Sequence, residues 1–150
     1  MSSVRLLFNL LLVAFSLSHT GCGGIAANPN LVPVTGTITL DGKPLAGASV
    51  TFVGIGATPG EGATGLTDDA GKYELAHFRA GTGAMPGEYK VVIMKRVMSD
   101  GSPIPAGTLS IAELATRDLL PLRFSDYHQT QLKANVAKEG PPVDFQIASR

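Results

Sequence analysis

Alternation of apolar with β-branched polar residues, broken at short intervals by glycine and proline, constrains this chain more than any other feature. Val34, Gly36, Ile38 and Leu40 fall on one face of an extended segment while Thr35, Thr37 and Thr39 fall on the other, the period of two that marks a half-buried strand. Asp41-Gly42 follows as a turn, Asp tolerating and Gly favouring positive φ. Alternating runs return at residues 48–53, 63–67 and 72–75, the last with Tyr73 and Leu75 on one face. Residues 87–95 form the longest strand candidate. Tyr89, Val91 and Ile93 make one stripe and Val92 and Met94 the other, so its centre is expected to be buried on both faces. Residues 131–137 and 143–148 bring the strands to seven. The chain holds 18 Gly and 10 Pro in 150 residues, a load that suits many short strands joined by turns better than long helices. The fold class expected is all-β, a seven-stranded Greek-key β-sandwich.

Two segments resist this pattern. Residues 54–62 are too glycine-rich for a strand, and between 99 and 121 the alternation disappears. Pro103 and Pro105 exclude a central strand there because proline lacks the ladder donor. Within that stretch residues 109–119 carry enough helix formers for a turn or two of helix, ended by Pro121. The segments 98–120 and 53–62 are the binding candidates, at loops on one end of the sandwich, since long irregular loops are uncommon unless they are functional or disordered.

Residues 4–17 (VRLLFNLLLVAFSL) hold one charge, Arg5, ahead of a run of about a dozen mostly apolar residues. That layout is a secretory signal peptide, and the run is shorter than the ~20 residues of a membrane-spanning helix. The single cysteine, Cys22, follows it in Ser18-His19-Thr20-Gly21-Cys22-Gly23. This segment resembles a bacterial lipobox, with His19 standing where the pattern usually has an apolar residue. The resemblance implies acylation of Cys22 and a protein exported and lipid-anchored to the bacterial cell envelope, on the periplasmic or outer-membrane side. The expected organisation is a signal peptide over 1–21, a flexible tether over 22–32 and one domain over 33–150.

The run Val34-Thr35-Gly36-Thr37-Ile38-Thr39-Leu40-Asp41-Gly42-Lys43-Pro44-Leu45-Ala46-Gly47-Ala48-Ser49-Val50, with Thr67-Asp68-Asp69-Ala70-Gly71-Lys72-Tyr73-Glu74-Leu75 and Pro86-Gly87-Glu88-Tyr89-Lys90-Val91, resembles the carboxypeptidase regulatory-like, transthyretin-like (prealbumin-like) domains. The likeness is close over residues 33–97. The tail through Leu132 and Val136 to Val143 and Ile147 looks like the version common among planctomycete lipoproteins. The resemblance implies a Greek-key sandwich used as an accessory or extracellular module, and its motifs specify fold more than activity.

Twelve basic residues balance 12 acidic ones, and Lys95-Arg96 is the one adjacent basic pair, so nucleic acid is excluded as a partner. No nucleophile elbow, phosphate-cradling glycine loop, HExxH helix or paired CxxC occurs. The expected protein is therefore not an enzyme, with no catalytic residue, metal or cofactor. Its partners are the membrane, through lipid on Cys22, and an envelope protein or glycan. Asp68 and Asp69 read as turn chemistry; a calcium site needs six to eight oxygen ligands. The alternative is a transthyretin-related or dioxygenase-like enzyme, for which His77, His128 and Tyr127 are the available participants, with Tyr73 and Tyr89 the other phenols.

Overall fold

The computed structural model describes residues 30–105 and 115–150. Twelve strands and one short helix follow in chain order: β1 (Thr35–Leu40), β2 (Lys43–Pro44), β3 (Ser49–Gly54), β4 (Ala63–Leu66), β5 (Lys72–Glu74), β6 (Ala76–His77), β7 (Gly81–Thr82), β8 (Gly87–Met94), β9 (Arg96–Met98), β10 (Thr116–Asp118), α1 (Leu122–Ser125), β11 (Lys133–Val136) and β12 (Phe145–Ile147). The seven alternating runs correspond to β1, β3, β4, β5, β8, β11 and β12. One sheet is ordered β12-β1-β5, with β2 also against β1, and the other β11-β8-β3-β4-β6-β7. Neighbours are antiparallel except β1 and β12, which run parallel with Ile38 opposite Phe145. The chain changes sheets between β2 and β3, between β4 and β5, between β5 and β6 and between β11 and β12, giving the Greek-key sandwich.

The alternation is realised side chain by side chain. Ile38 of β1, Val50 and Phe52 of β3, and Val91 and Ile93 of β8 are fully buried, and Tyr89, Val136, Phe145 and Ile147 nearly so. These residues of both sheets form one hydrophobic cluster, the product of period-two strands facing each other. Phe52 sits at its centre, its ring centroid 5.6 Å from Tyr89 in its own sheet and 6.4 and 6.3 Å from Tyr73 and Phe145 in the facing one. Val92 is buried on the other face of β8, as its position in the longest run requires; α1 packs against this strand.

The turn at Asp41-Gly42 has φ of 52° and 79°, and Leu40 pairs with Lys43 across it. This is the two-residue hairpin with both φ positive that favours Asp-Gly.

Residues 98–120 depart from expectation. Thr116–Asp118, placed by composition in a helix over 109–119, forms β10 and pairs with β9 in a two-stranded ribbon, Arg117 opposite Val97; residues 106–114 lie outside the described residues. Tertiary pairing overrides a weak local helix preference. The helix instead begins just after Pro121, which stands at its N-cap rather than ending one. Proline fits there because its absent N–H is one that a helix start leaves unpaired anyway.

Candidate functional site

Several groups able to do chemistry are committed to backbone. Asp68 Oδ1 accepts from the Ala70 and Lys72 amides at 2.9 Å each, the turn role expected of it. The buried Thr67 hydroxyl accepts from Ala48 N–H at 2.8 Å and donates to the Leu45 carbonyl at 2.6 Å, which ties β4 to the loop before β3. Sequence reasoning missed this role, since a threonine at the end of a short strand gives no local sign of burial. The Tyr89 hydroxyl donates to the Met85 carbonyl at 2.7 Å.

Tyr73 donates its hydroxyl to the Val143 carbonyl at 2.5 Å. Burial first, and the negative charge of Asp144 second, push its phenol well above the ordinary value of 10.0. In the unfolded chain the phenol ionises near 10, so above that pH the folded state holds a proton that the unfolded state has lost. The resulting stability is whole below pH ~10 and drains as pH rises toward the folded value, by up to ~1.4 kcal/mol per pH unit. Urea unfolding at about pH 9 and about pH 11 should show the wild type losing more stability than Tyr73→Phe. Equal losses would show that Tyr73 does not carry this dependence.

The participants of the enzyme alternative lie apart. His77, on β6, accepts the Arg79 amide at Nδ1 at 3.2 Å. Tyr127 and His128 follow α1 with their rings edge to face at 5.3 Å, and the Lys90 ammonium of β8 lies 4.7 Å over the Tyr127 ring. In the sheet, β6 is separated from β8 by β4 and β3, three strand spacings or ~14 Å, too far for His77 to share an ion with His128. Among the described residues no group of three or more His, Cys, Asp or Glu is placed to hold a metal.

The two candidate loops lie at opposite ends of the sandwich, because β3 and β8 are antiparallel. Gly54, the end of β3, pairs with Tyr89 near the start of β8, whereas the 98–116 segment follows the end of β8. The first loop is also fastened to β8: Ile55 N–H donates to the Glu88 carbonyl at 3.0 Å, and the Thr58 hydroxyl both donates to that carbonyl and accepts the Glu88 amide, each at 2.8 Å.

A larger hollow lies at the other end. Register sets Leu66, Ser49 and Met94 side by side across β4, β3 and β8, all on the outer face because Val50 and Ile93, one residue along, point into the core. With Lys95, Arg96 and Ile104 they line a hollow of about 430 Å³. Leu66 is 67% exposed, a large apolar side chain left in water at the rim of a concave surface. The floor is aliphatic and the edge cationic. Arg96 reaches Thr116 of β10 at 3.4 Å, and Asp118 Oδ1 accepts the Lys95 and Leu120 amides at 3.3 and 2.9 Å, fixing the ribbon beside the hollow. Cys22 lies outside the described residues.

Among the described residues no helix is long and apolar enough to cross a membrane. No protein-family model and no curated protein matches the chain. Among solved structures, that of a 9R-lipoxygenase from Cyanothece PCC8801 aligns with 86% of this chain at 13% identity and a TM-score of 0.36, and this chain spans 18% of its length. A likeness of that size carries no argument about activity.

Proposed function

We propose that this chain is a non-catalytic, lipid-anchored module of the bacterial cell envelope, a carboxypeptidase regulatory-like sandwich that holds an envelope protein or glycan at the end away from its tether. The observation that carries the reading is the position of the hollow between β4, β3 and β8, opposite the end where residue 33 enters the domain. A tethered domain presents its far end to partners. The aliphatic lining of Leu66 and Met94 beside Arg96 favours a protein over a glycan, since methionine and arginine are enriched at protein interfaces. The signal-like block and the Gly21-Cys22-Gly23 context support the anchor, and acyl chains contribute ~0.8 kcal/mol per buried methylene, so more than one holds firmly.

Radiolabelled palmitate fed to the native host tests the anchor. The wild type should take up label and sediment with membranes, while Cys22→Ala should do neither; equal labelling of the two overturns the lipid assignment. A photo-crosslinker at position 66 in intact cells tests the partner surface. Adducts that disappear with Arg96→Glu are expected, and adducts equally abundant from position 39, on the outer face of the other sheet, would sink it.

A further inference from the structure

Val32 forms an isolated antiparallel bridge with Ala84, its amide donating to the Ala84 carbonyl at 2.9 Å and its carbonyl accepting the Ala84 amide at 3.0 Å. The chain therefore enters the domain where β1 and β8 start and β3 finishes. Val32 stands ten residues beyond Cys22, and a chain spans at most ~3.6 Å per residue, so Val32 stays within ~36 Å of Cys22. The eight residues of β8 make the sandwich ~26 Å long at ~3.3 Å each. Bringing the far end to the bilayer would use most of that reach simply to run back along the domain.

The end beside the tether is suited to lipid. Phe78, at the tip of the β6–β7 hairpin, is 49% exposed, and its amide bonds to the Gly62 carbonyl at the foot of β4. Ala57 and Pro59 of the adjoining loop are exposed as well. The charge next to Phe78 in the chain is paired, Arg79 Nε lying 2.7 Å from Glu61 Oε2. An exposed aromatic ring among small apolar residues, its neighbouring arginine paired, enters the boundary between lipid headgroups and acyl chains at little electrostatic cost, and the exposed Glu88 beside Ala57 is left to face the polar headgroups.

We propose that this end seats on the bilayer that holds the anchor, with the Phe78 ring entering the headgroup boundary and the Leu66 hollow held away from it. The proposal rests on the lipid-anchored reading and adds an orientation to it.

The chain contains no Trp, so Phe78→Trp creates a single indole reporter, and Leu66→Trp is its counterpart at the far end. Every residue of the described core lies between Val34 and Ile147, so residues 22–150 carry the whole of it. That protein, coupled through the Cys22 thiol to a maleimide lipid in phosphatidylcholine vesicles, has its anchor supplied chemically. Failure of natural acylation, read by palmitate labelling, is thus separate from failure of the seating. On coupling, the Phe78→Trp emission should shift to the blue and be quenched about two-fold by brominated lipid, as an indole at the headgroup boundary is. Pro59→Trp should respond in the same direction, and Leu66→Trp should keep the emission of an indole in water. Two outcomes overturn the proposal: no quenching at either position 78 or 59, or equal quenching at 78 and 66.

Discussion

Gly36→Ala should destabilise this domain severely, although glycine to alanine in an ordinary strand position is a gain. Gly36 is buried on the inner side of β1 opposite Tyr73. A Cβ built there overlaps the Val143 carbonyl oxygen and lies 2.7 Å from its carbon and 2.8 Å from the Tyr73 hydroxyl oxygen. These atoms are the joint by which the chain enters β12. The Val143 amide donates to the Thr35 carbonyl at 2.8 Å, its carbonyl accepts Tyr73, and the Thr37 amide donates to Asp144 Oδ1 at 2.7 Å. Making room for one methyl pushes residues 143–144 outward and weakens all three bonds just before the parallel ladder begins at Ile38 and Phe145. Overpacking alone costs ~1–3 kcal/mol, and the hydrogen bonds ~1 kcal/mol each, so a loss of about 3 kcal/mol or more is expected. Gly42→Ala is the contrast. A Cβ there meets nothing within 4 Å, and its φ of +79° makes the cost one of backbone conformation, about 1 kcal/mol. Urea unfolding followed by circular dichroism ranks the two; a Gly36→Ala protein within ~0.5 kcal/mol of wild type would refute the close approach, since that is the range of neutral surface changes.

The same glycine shows what could be read in advance. Its place on the buried face of β1 follows from the alternation of Val34, Gly36, Ile38 and Leu40, a local property of the chain. The seven strands were legible for that reason, as was the Asp41-Gly42 turn, whose chemistry is contained in two adjacent residues. That Gly36 must be glycine because Val143 crosses it was not legible. This depends on a strand far away in sequence entering parallel to β1, where hairpin logic between neighbours gives no guidance. The ribbon of β9 and β10 was hidden for a related reason. The 109–119 stretch is helix-compatible by composition, and only the proximity of Arg96–Met98 gives Thr116–Asp118 a strand to pair with.

The surfaces proposed for binding were legible only in part. Loops around 98–120 stand out by their prolines and lost alternation, and Pro103 and Ile104, past the end of β8, do line the hollow. The hollow itself is made by register: Leu66, Ser49 and Met94 become neighbours through the β4–β3–β8 pairing, and no spacing within the chain announces them. Conversely, His77, His128 and Tyr127 can be counted in the sequence, but three strand spacings between β6 and β8 decide that His77 does not join the other two.

Phe52→Ala is expected to be the most damaging truncation in the core, at about 3–5 kcal/mol, the range for removing a buried aromatic side chain. Phe52 is fully buried and touches aromatic rings of both sheets, Tyr89 beside it and Tyr73 and Phe145 across the sandwich. Each such pair contributes ~0.5–1.5 kcal/mol beyond the area buried. The cavity cannot close easily. Its walls are β-strand backbones fixed by ladders on either side, β3 pairing with both β4 and β8, and Tyr73 and Tyr89 are pinned by their hydroxyls to Val143 and Met85. Phe52→Leu keeps much of the volume and should cost about 1–2 kcal/mol. Domains of this size have ~5–15 kcal/mol in all, so the alanine variant loses a large share of the total while the leucine variant keeps most of it. Phe78→Ala, which removes an aromatic ring half in water at the tether end, should stay within about 1 kcal/mol of wild type. Urea midpoints for the three proteins measure the order. A Phe52→Ala loss no larger than that of Phe78→Ala would mean that the two sheets close over the gap, and that the aromatic cluster is not what holds them together.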